Sequence, residues 1–182
     1  GRLKDRDGHI VSNEMRCEVF ADYLEHTQWA ARPITAIENQ DTIHDETLPV
    51  NEESCTVMEV RGVIKKLKNN RSPGLDEIPA ECWKTLIADE EACRIITEFC
   101  NSCWRNCNTP VQWRLARISC LYKKGNPADT ANYRPVSLLS VGYKIFASFL
   151  LTRLKQAGAE KRIHSSQFGF RSGLGTREAL FL

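Results

Sequence analysis

The sequence holds no apolar run approaching the roughly 20 residues needed to cross a bilayer, which excludes a membrane-spanning helix. The N-terminus, Gly1-Arg2-Leu3-Lys4-Asp5-Arg6, opens on charge and reaches no apolar core segment, so no secretory leader is expected. Histidine is scarce and scattered (His9, His26, His44, His164), which argues against a histidine-based catalytic or metal cluster. There is no internal repeat and no low-complexity tract. Acidic residues are nearly missing from the C-terminal part: Thr109 to Leu182 carries 3 Asp/Glu against 12 Lys/Arg.

What is present is an ordinary globular composition, 42% hydrophobic and 26% charged over 182 residues. That length supports one good core, or a domain plus an extension. The net charge of +2 conceals an asymmetry, since Gly1 to Val60 carries 5 Lys/Arg against 13 Asp/Glu. Between the acidic and basic parts lies an island, Arg61 to Arg71, with five cations and no acid. Such a distribution hints at a nucleic-acid partner, although a solvated basic face explains single clusters as well. The eight cysteines would indicate disulfides only in a small secreted chain, so reduced thiols in an intracellular compartment, nucleus or cytoplasm, are expected.

Apolar positions recurring at three and four residues predict a helix from Asn13 to about Trp29, through Met15, Val19, Phe20, Tyr23 and Leu24. Arg32 to Leu48 is polar and aperiodic and reads as a linker. A second helix follows with Val57, Val60, Ile64 and Leu67 on one face, then a loop through Ser72-Pro73-Gly74-Leu75-Asp76 and a helix restarting at Pro79. Cys93, Cys100, Cys103 and Cys107 superficially resemble a metal site. Ile95, Ile96, Phe99 and Trp104 share their period, so the cysteines are read as packing on or beside a buried helix face rather than holding zinc. Val141 to Leu154 is a strongly apolar helix. Thr176 to Leu182 begins a helix and stops on three apolar residues, which predicts a piece of a longer protein.

Arg117 to Leu139 carries the most chemistry. Alternating Ile118, Cys120 and Tyr122 predict an incoming strand, Gly125-Asn126-Pro127 a tight turn, and Val136 to Leu139 a returning apolar segment. Such a hairpin holds Lys123, Lys124 and Arg134 near one another. Cations fixed in this way suit a polyphosphate or a nucleic-acid backbone.

Three blocks in this order resemble the reverse transcriptases of non-LTR (LINE-type) retrotransposons. They are Ser72-Pro-Gly-Leu-Asp-Glu-Ile-Pro-Ala-Glu-Cys-Trp-Lys84; Trp113 through Pro127, continuing as Asn132-Tyr-Arg-Pro-Val-Ser-Leu-Leu and Lys144-Ile-Phe; and Gln167-Phe-Gly-Phe-Arg-Ser-Gly173. The resemblance covers about residues 50 to 182. It implies an α+β fold with the fingers of a right-hand polymerase, a β-hairpin and helices, and only the start of the palm. Residues 49–182 would be a partial reverse transcriptase domain, and 1–48 an N-terminal extension and linker.

The resemblance also implies roles. Lys123 and Arg134 would grip the triphosphate of the incoming deoxynucleotide, with Lys124 a solvated neighbour. Gln167, Phe168, Gly169 and Arg171 would lie beside template and primer, with Phe168 or Phe170 against a base or sugar, unless Phe170 is buried in loop packing. Gly74 belongs to an upstream loop that touches the template; Asp76 either joins that contact or caps the helix that follows. Trp113, Leu138 and Phe146 are expected in the core. The partners implied are an RNA template, a DNA primer and a deoxynucleoside triphosphate, with no membrane and no obligate protein partner. The complete enzyme would use Mg2+, but the family's aspartates fall downstream of Gly173 and none of the aspartates present matches them. No catalytic or metal-ligating residue is therefore assigned, and the chain alone is expected to be inactive. The alternative reading is a nucleic-acid-binding module that uses the basic C-terminal surface.

Overall fold

The structure is a computed structural model that describes residues 2–31 and 47–180. The expected linker, apart from its last two residues, and His44 lie outside the described residues. The chain folds as two compact units, Gly1–Asp41 with Leu115–Leu139, and Thr42–Arg114 with Ser140–Leu182. Among the described residues the architecture is helix-rich α+β, with one two-stranded antiparallel sheet.

In the first unit, Asp5-Arg6-Asp7-Gly8 makes a turn because Asp5 Oδ1 accepts from the N–H groups of Asp7 (3.0 Å) and His9 (2.8 Å). Val11 N–H then donates to the Leu3 carbonyl at 2.9 Å and Leu3 is fully buried. Helix α1 (Arg16–Tyr23) continues into a wider π turn, Leu24–Gln28, that ends with Trp29 N–H on the Leu24 carbonyl. The single helix expected from Asn13 to Trp29 is thus shorter and changes its winding where Leu24 turns inward. Strands β1 (Arg117–Tyr122) and β2 (Tyr133–Leu138) pair from Arg117 with Leu138 to Tyr122 with Tyr133. The returning strand starts at Tyr133, earlier than the apolar run suggested, because backbone pairing rather than hydrophobicity sets its beginning.

In the second unit, α2 (Val57–Lys66) starts with a capping box: Thr56 Oγ1 accepts from Glu59 N–H, and a Glu59 carboxylate oxygen accepts from Thr56 N–H. It buries Val60, Val63 and Ile64. Helices α3 (Ala80–Leu86), α4 (Glu90–Arg105) and α5 (Val141–Gln156) complete a core of Ile87, Cys93, Ile96, Cys100, Cys103, Val141, Ile145, Phe146 and Phe149. Three of the four clustered cysteines are buried here, and Cys107 is exposed past the helix end. Cys93, Ile96, Cys100 and Cys103 follow the 3, 4, 3 spacing of one face. Ile95 and Phe99, expected to share it, are rotated off and exposed. Gly142 sits where an added Cβ would lie 3.2 Å from Trp113 and 3.4 Å from Trp83, so its lack of a side chain lets both indoles pack on the first turn of α5.

Arg153 is the most deeply placed charge among the described residues, with its side chain 2% exposed. Its guanidinium donates to Glu59 through Nε (3.0 Å) and Nη2 (3.1 Å), and to the carbonyls of Asn51, Glu53 and Ser54. It also stacks 4.4 Å from the Phe149 ring centre. Asn101 holds the next residue of the same strap by both edges, accepting from Cys55 N–H at 2.6 Å and donating to its carbonyl at 3.1 Å. These buried polar groups satisfy one another, which is the condition for tolerating them in a core.

Candidate functional site

Cross-strand partners in an antiparallel ladder project from the same face. Leu121 pairs with Arg134, and Lys123 N–H donates to the Asn132 carbonyl at 2.8 Å, carrying the register one step further. Arg134 and Lys123 therefore share a face as diagonal neighbours, a spacing of about 7–8 Å between such positions. Both are exposed, as is Lys124. No hydrogen bond or ion pair among the described residues engages the side chain of any of the three. The opposite face carries Cys120, Tyr122 and Tyr133 and packs toward α1: the Phe20 and Tyr133 rings meet edge-on at 4.9 Å. Burial pushes the Cys120 thiol pKa up, with Cys17 of α1 a smaller cause.

The connection is not the tight turn expected but a loop from Lys123 to Asn132 that is bonded throughout. Tyr122 OH donates to the Gly125 carbonyl (2.6 Å), Tyr133 OH to the Pro127 carbonyl (2.8 Å), and Asn132 Nδ2 to the Asn126 carbonyl (2.9 Å). The two tyrosine rings brace each other at 5.5 Å. Asn126 Oδ1 accepts from Ala128 N–H, and the Ala128 carbonyl accepts from Lys4 N–H at 2.9 Å, tying the loop to the first turn of the chain. Gly125 has φ +94°, and a Cβ there would stand 2.9 Å from the Asn132 amide. Tyr122, Gly125, Asn132 and Tyr133 thus position the two cations. Sequence reasoning read Tyr122 and Gly125 only as strand and turn residues and gave none of the four this supporting role, although the two tyrosines bracketing a Gly-Asn-Pro turn were the available signal.

The other expected site residues belong to the second unit. Gly74 is buried and its carbonyl accepts from Glu77 N–H at 3.3 Å. Asp76 divides its carboxylate between Ile78 N–H (3.3 Å) and the Ser140 hydroxyl (2.6 Å), latching the loop to the residue that precedes α5. It does not cap α3, whose N-terminal flank is Pro79. Gln167 to Arg171 forms a self-closed loop: Gln167 Nε2 donates to the Gly169 carbonyl (3.1 Å), and Arg171 Nη1 to the carbonyls of Gln167 (3.3 Å) and His164 (3.5 Å). Phe168 is half-buried. Phe170 is wholly exposed with φ +63°, so the alternative in which it is buried in loop packing is not the one seen. A bulky residue held in the left-handed region with its ring in solvent is a strained and unsheltered placement.

Among the described residues, the one group of three potential metal ligands is Asp5, Asp7 and His9. Asp5 is already committed to the backbone of its own turn, with Oδ2 3.6 Å from His9 Nδ1. This set does not supply the several convergent carboxylates that a divalent pair requires.

No family model matches the chain. Curated relatives do. The probable RNA-directed DNA polymerase from transposon X-element of Drosophila melanogaster is 36% identical over 98% of this chain and 20% of its own length. The one from transposon BS of the same species is 32% identical over 94% of this chain and 19% of its own length. The RNA-directed DNA polymerase from mobile element jockey of Drosophila funebris is 31% identical over 95% and 19%. The similarity thus runs through the N-terminal segment as well as the three motif blocks, and the chain spans about a fifth of the length of these relatives. Over nearly its whole length this chain is therefore similar to a part of the RNA-directed DNA polymerases of transposons.

Proposed function

We propose that this chain supplies the nucleotide-gripping fingers of an RNA-directed DNA polymerase, within a right-hand architecture whose domain portion is residues 49–182. The observation that carries the reading is the exposed, unpaired placement of Lys123 and Arg134 on one face of a braced hairpin. A deoxynucleoside triphosphate presents several negative charges, and one point cation beside one planar fork can hold non-equivalent oxygens. Because the loop is bonded before any ligand arrives, little ordering cost falls on binding. Both cations would also stabilise charge that develops on the transferring phosphoryl group.

In this reading Gln167, Phe168, Gly169, Arg171 and Gly74 lie along the template and primer. The exposed Phe170 ring adds an aromatic surface for stacking. A divalent metal, when bound in the complete enzyme, would activate the primer hydroxyl and neutralise the leaving diphosphate. The resemblance puts its ligands at aspartates that none of the aspartates of this sequence matches, and the 182-residue chain is expected not to extend a primer on its own. Template-dependent synthesis by this chain with magnesium would overturn that.

The decisive experiment uses a version extended through the metal-binding carboxylates. Arg134→Ala there is expected to raise KM for the deoxynucleotide by about 10- to 100-fold, the worth of one charge-assisted hydrogen bond. Affinity for the template should stay within threefold. Equal losses in both would sink the role.

A further inference from the structure

Two cysteines, Cys17 and Cys120, fall in the first unit, one on each of its two chain segments. Cys17 stands in the first turn of α1 and Cys120 within β1. Cys17, Phe20 and Leu24 recur at three and four residues along the face of α1 and its extension that meets the hairpin, where Phe20 packs on Tyr133. Cys120 stands on the hairpin face turned toward that helix. Between the two walls lies a cavity of about 500 Å³, lined by Cys17 and Cys120 together with Phe20, Leu24, Trp29 and Ile118. After burial, Cys17 is the further cause that raises the Cys120 thiol pKa, as a second thiolate facing the first would.

Packing explains a half-buried thiol such as Cys120, since cysteine serves as a small apolar side chain. It does not explain Cys17, which is exposed on the other wall of the same cavity. Exposure lets a dissolved oxidant reach Cys17 first, and shelter reserves Cys120 for a second step. The first turn of α1 is free to approach the strand. No side chain caps the helix at Met15, none of its residues is fully buried, and open space rather than packed atoms lies on its inner side.

We propose that Cys17 and Cys120 form a reversible dithiol–disulfide site, oxidised by small disulfides of the glutathione class, which staples the first turn of α1 to β1. The Cys17 sulfur attacks one sulfur of glutathione disulfide, breaking its S–S bond and expelling one glutathione thiolate. The Cys120 sulfur then attacks the Cys17 sulfur of that mixed disulfide, forming the protein disulfide and expelling the second glutathione. The two thiol protons pass to the two glutathiones, and the two electrons lost by the protein reduce the oxidant. In a reducing compartment the reverse exchange keeps both thiols free. Lys123 and Arg134 project from the other hairpin face, so the site stands or falls independently of the nucleotide grip.

The native 182-residue protein is equilibrated with glutathione disulfide and glutathione, acid-quenched, alkylated and mapped by peptide mass spectrometry. At about 1 mM glutathione the Cys17–Cys120 peptide pair, two hydrogens lighter than its reduced parts, should exceed the Cys17 mixed disulfide by about tenfold, because thiols held in one cavity meet at millimolar effective concentration or above. Dithiothreitol should return both thiols. Cys120→Ser should stop the reaction at the Cys17 mixed disulfide. Cys17→Ser, at an exposed position, should leave Cys120 reduced and keeps the test valid if Cys120→Ser impairs folding. In urea above the unfolding transition, the preference for Cys120 over the other cysteines should vanish. A persistent Cys17 mixed disulfide in the parent would overturn the proposal, as would bonds from Cys17 to Cys82 or Cys107 in equal amount. So would the same pairing preference in urea, or equal oxidation of Cys120 in Cys17→Ser.

Discussion

Gly125→Ala should loosen the loop that displays the two cations while leaving the helical core untouched. Two costs add. A non-glycine residue held at positive φ, here +94°, is disfavoured by about 1–2 kcal/mol. The new Cβ would stand 2.9 Å from the Asn132 amide, which must rotate away and release its 2.9 Å bond to the Asn126 carbonyl, at about 1 kcal/mol. The sum is about 2–3 kcal/mol, or roughly 30- to 150-fold in a local opening equilibrium. Amide hydrogen exchange reads this directly, because Lys123 N–H is hydrogen-bonded to the Asn132 carbonyl across the loop. Its protection should fall by that factor, while the amides of Ile96 and Cys100 within α4 keep theirs. Asn132→Ala removes the obstructing amide, so the double variant should cost less than the sum of the two singles. If Lys123 protection changes less than threefold in Gly125→Ala, the loop is not the rigid support inferred for the site.

Arg153→Met should lower stability by about 3 kcal/mol, the lower end for breaking a buried ion pair because Glu59 remains partly exposed, seen as a shifted urea midpoint with unchanged slope. A shift worth under 1 kcal/mol would reduce the arginine knot to incidental packing. Chiefly through its hydrogen bonds from Arg153, the Glu59 carboxyl is held below the usual carboxylate range. A lowered folded-state pKa means its contribution is complete above the ordinary glutamate value and fades as pH falls through and below it. Stability measured between pH 6 and 3 should therefore drop less steeply in Glu59→Gln than in the parent. Ellman titration of the native protein should find Cys17, Cys82 and Cys107 fast and Cys93, Cys100 and Cys103 slow, since the first three are exposed, the others are buried, and burial also raises the Cys103 pKa; rapid modification of the Cys100 pocket would contradict the core described above.

Elements with strong periodicity or punctuation were legible from the residues. Val57, Val60 and Ile64 recur at helical spacing, and Ile118, Cys120 and Tyr122 alternate as a strand must; both emerged as read. That Lys123, Lys124 and Arg134 come together on a hairpin was legible too, because they flank a turn signal between two apolar runs. Less was readable where the outcome depends on distant partners. Ile95 and Phe99 are as apolar as Ile96, yet which of them turns inward is set by where α2 and α5 lie. Asp76 could cap or contact; Ser140, 64 residues away along the chain, takes one of its carboxylate oxygens.

By itself the sequence determined the local conformations, the charge asymmetry and the motif order that makes the chain resemble its relatives, because these depend on neighbouring residues and on composition. Tertiary structure decided which face of the hairpin carries its cations into solvent, because strand pairing fixes side-chain direction and α1 covers the other side. It also decided that a lone arginine near the end of an apolar helix becomes the centre of a buried network. Those arrangements are properties of distances between segments remote along the chain, which no local pattern encodes.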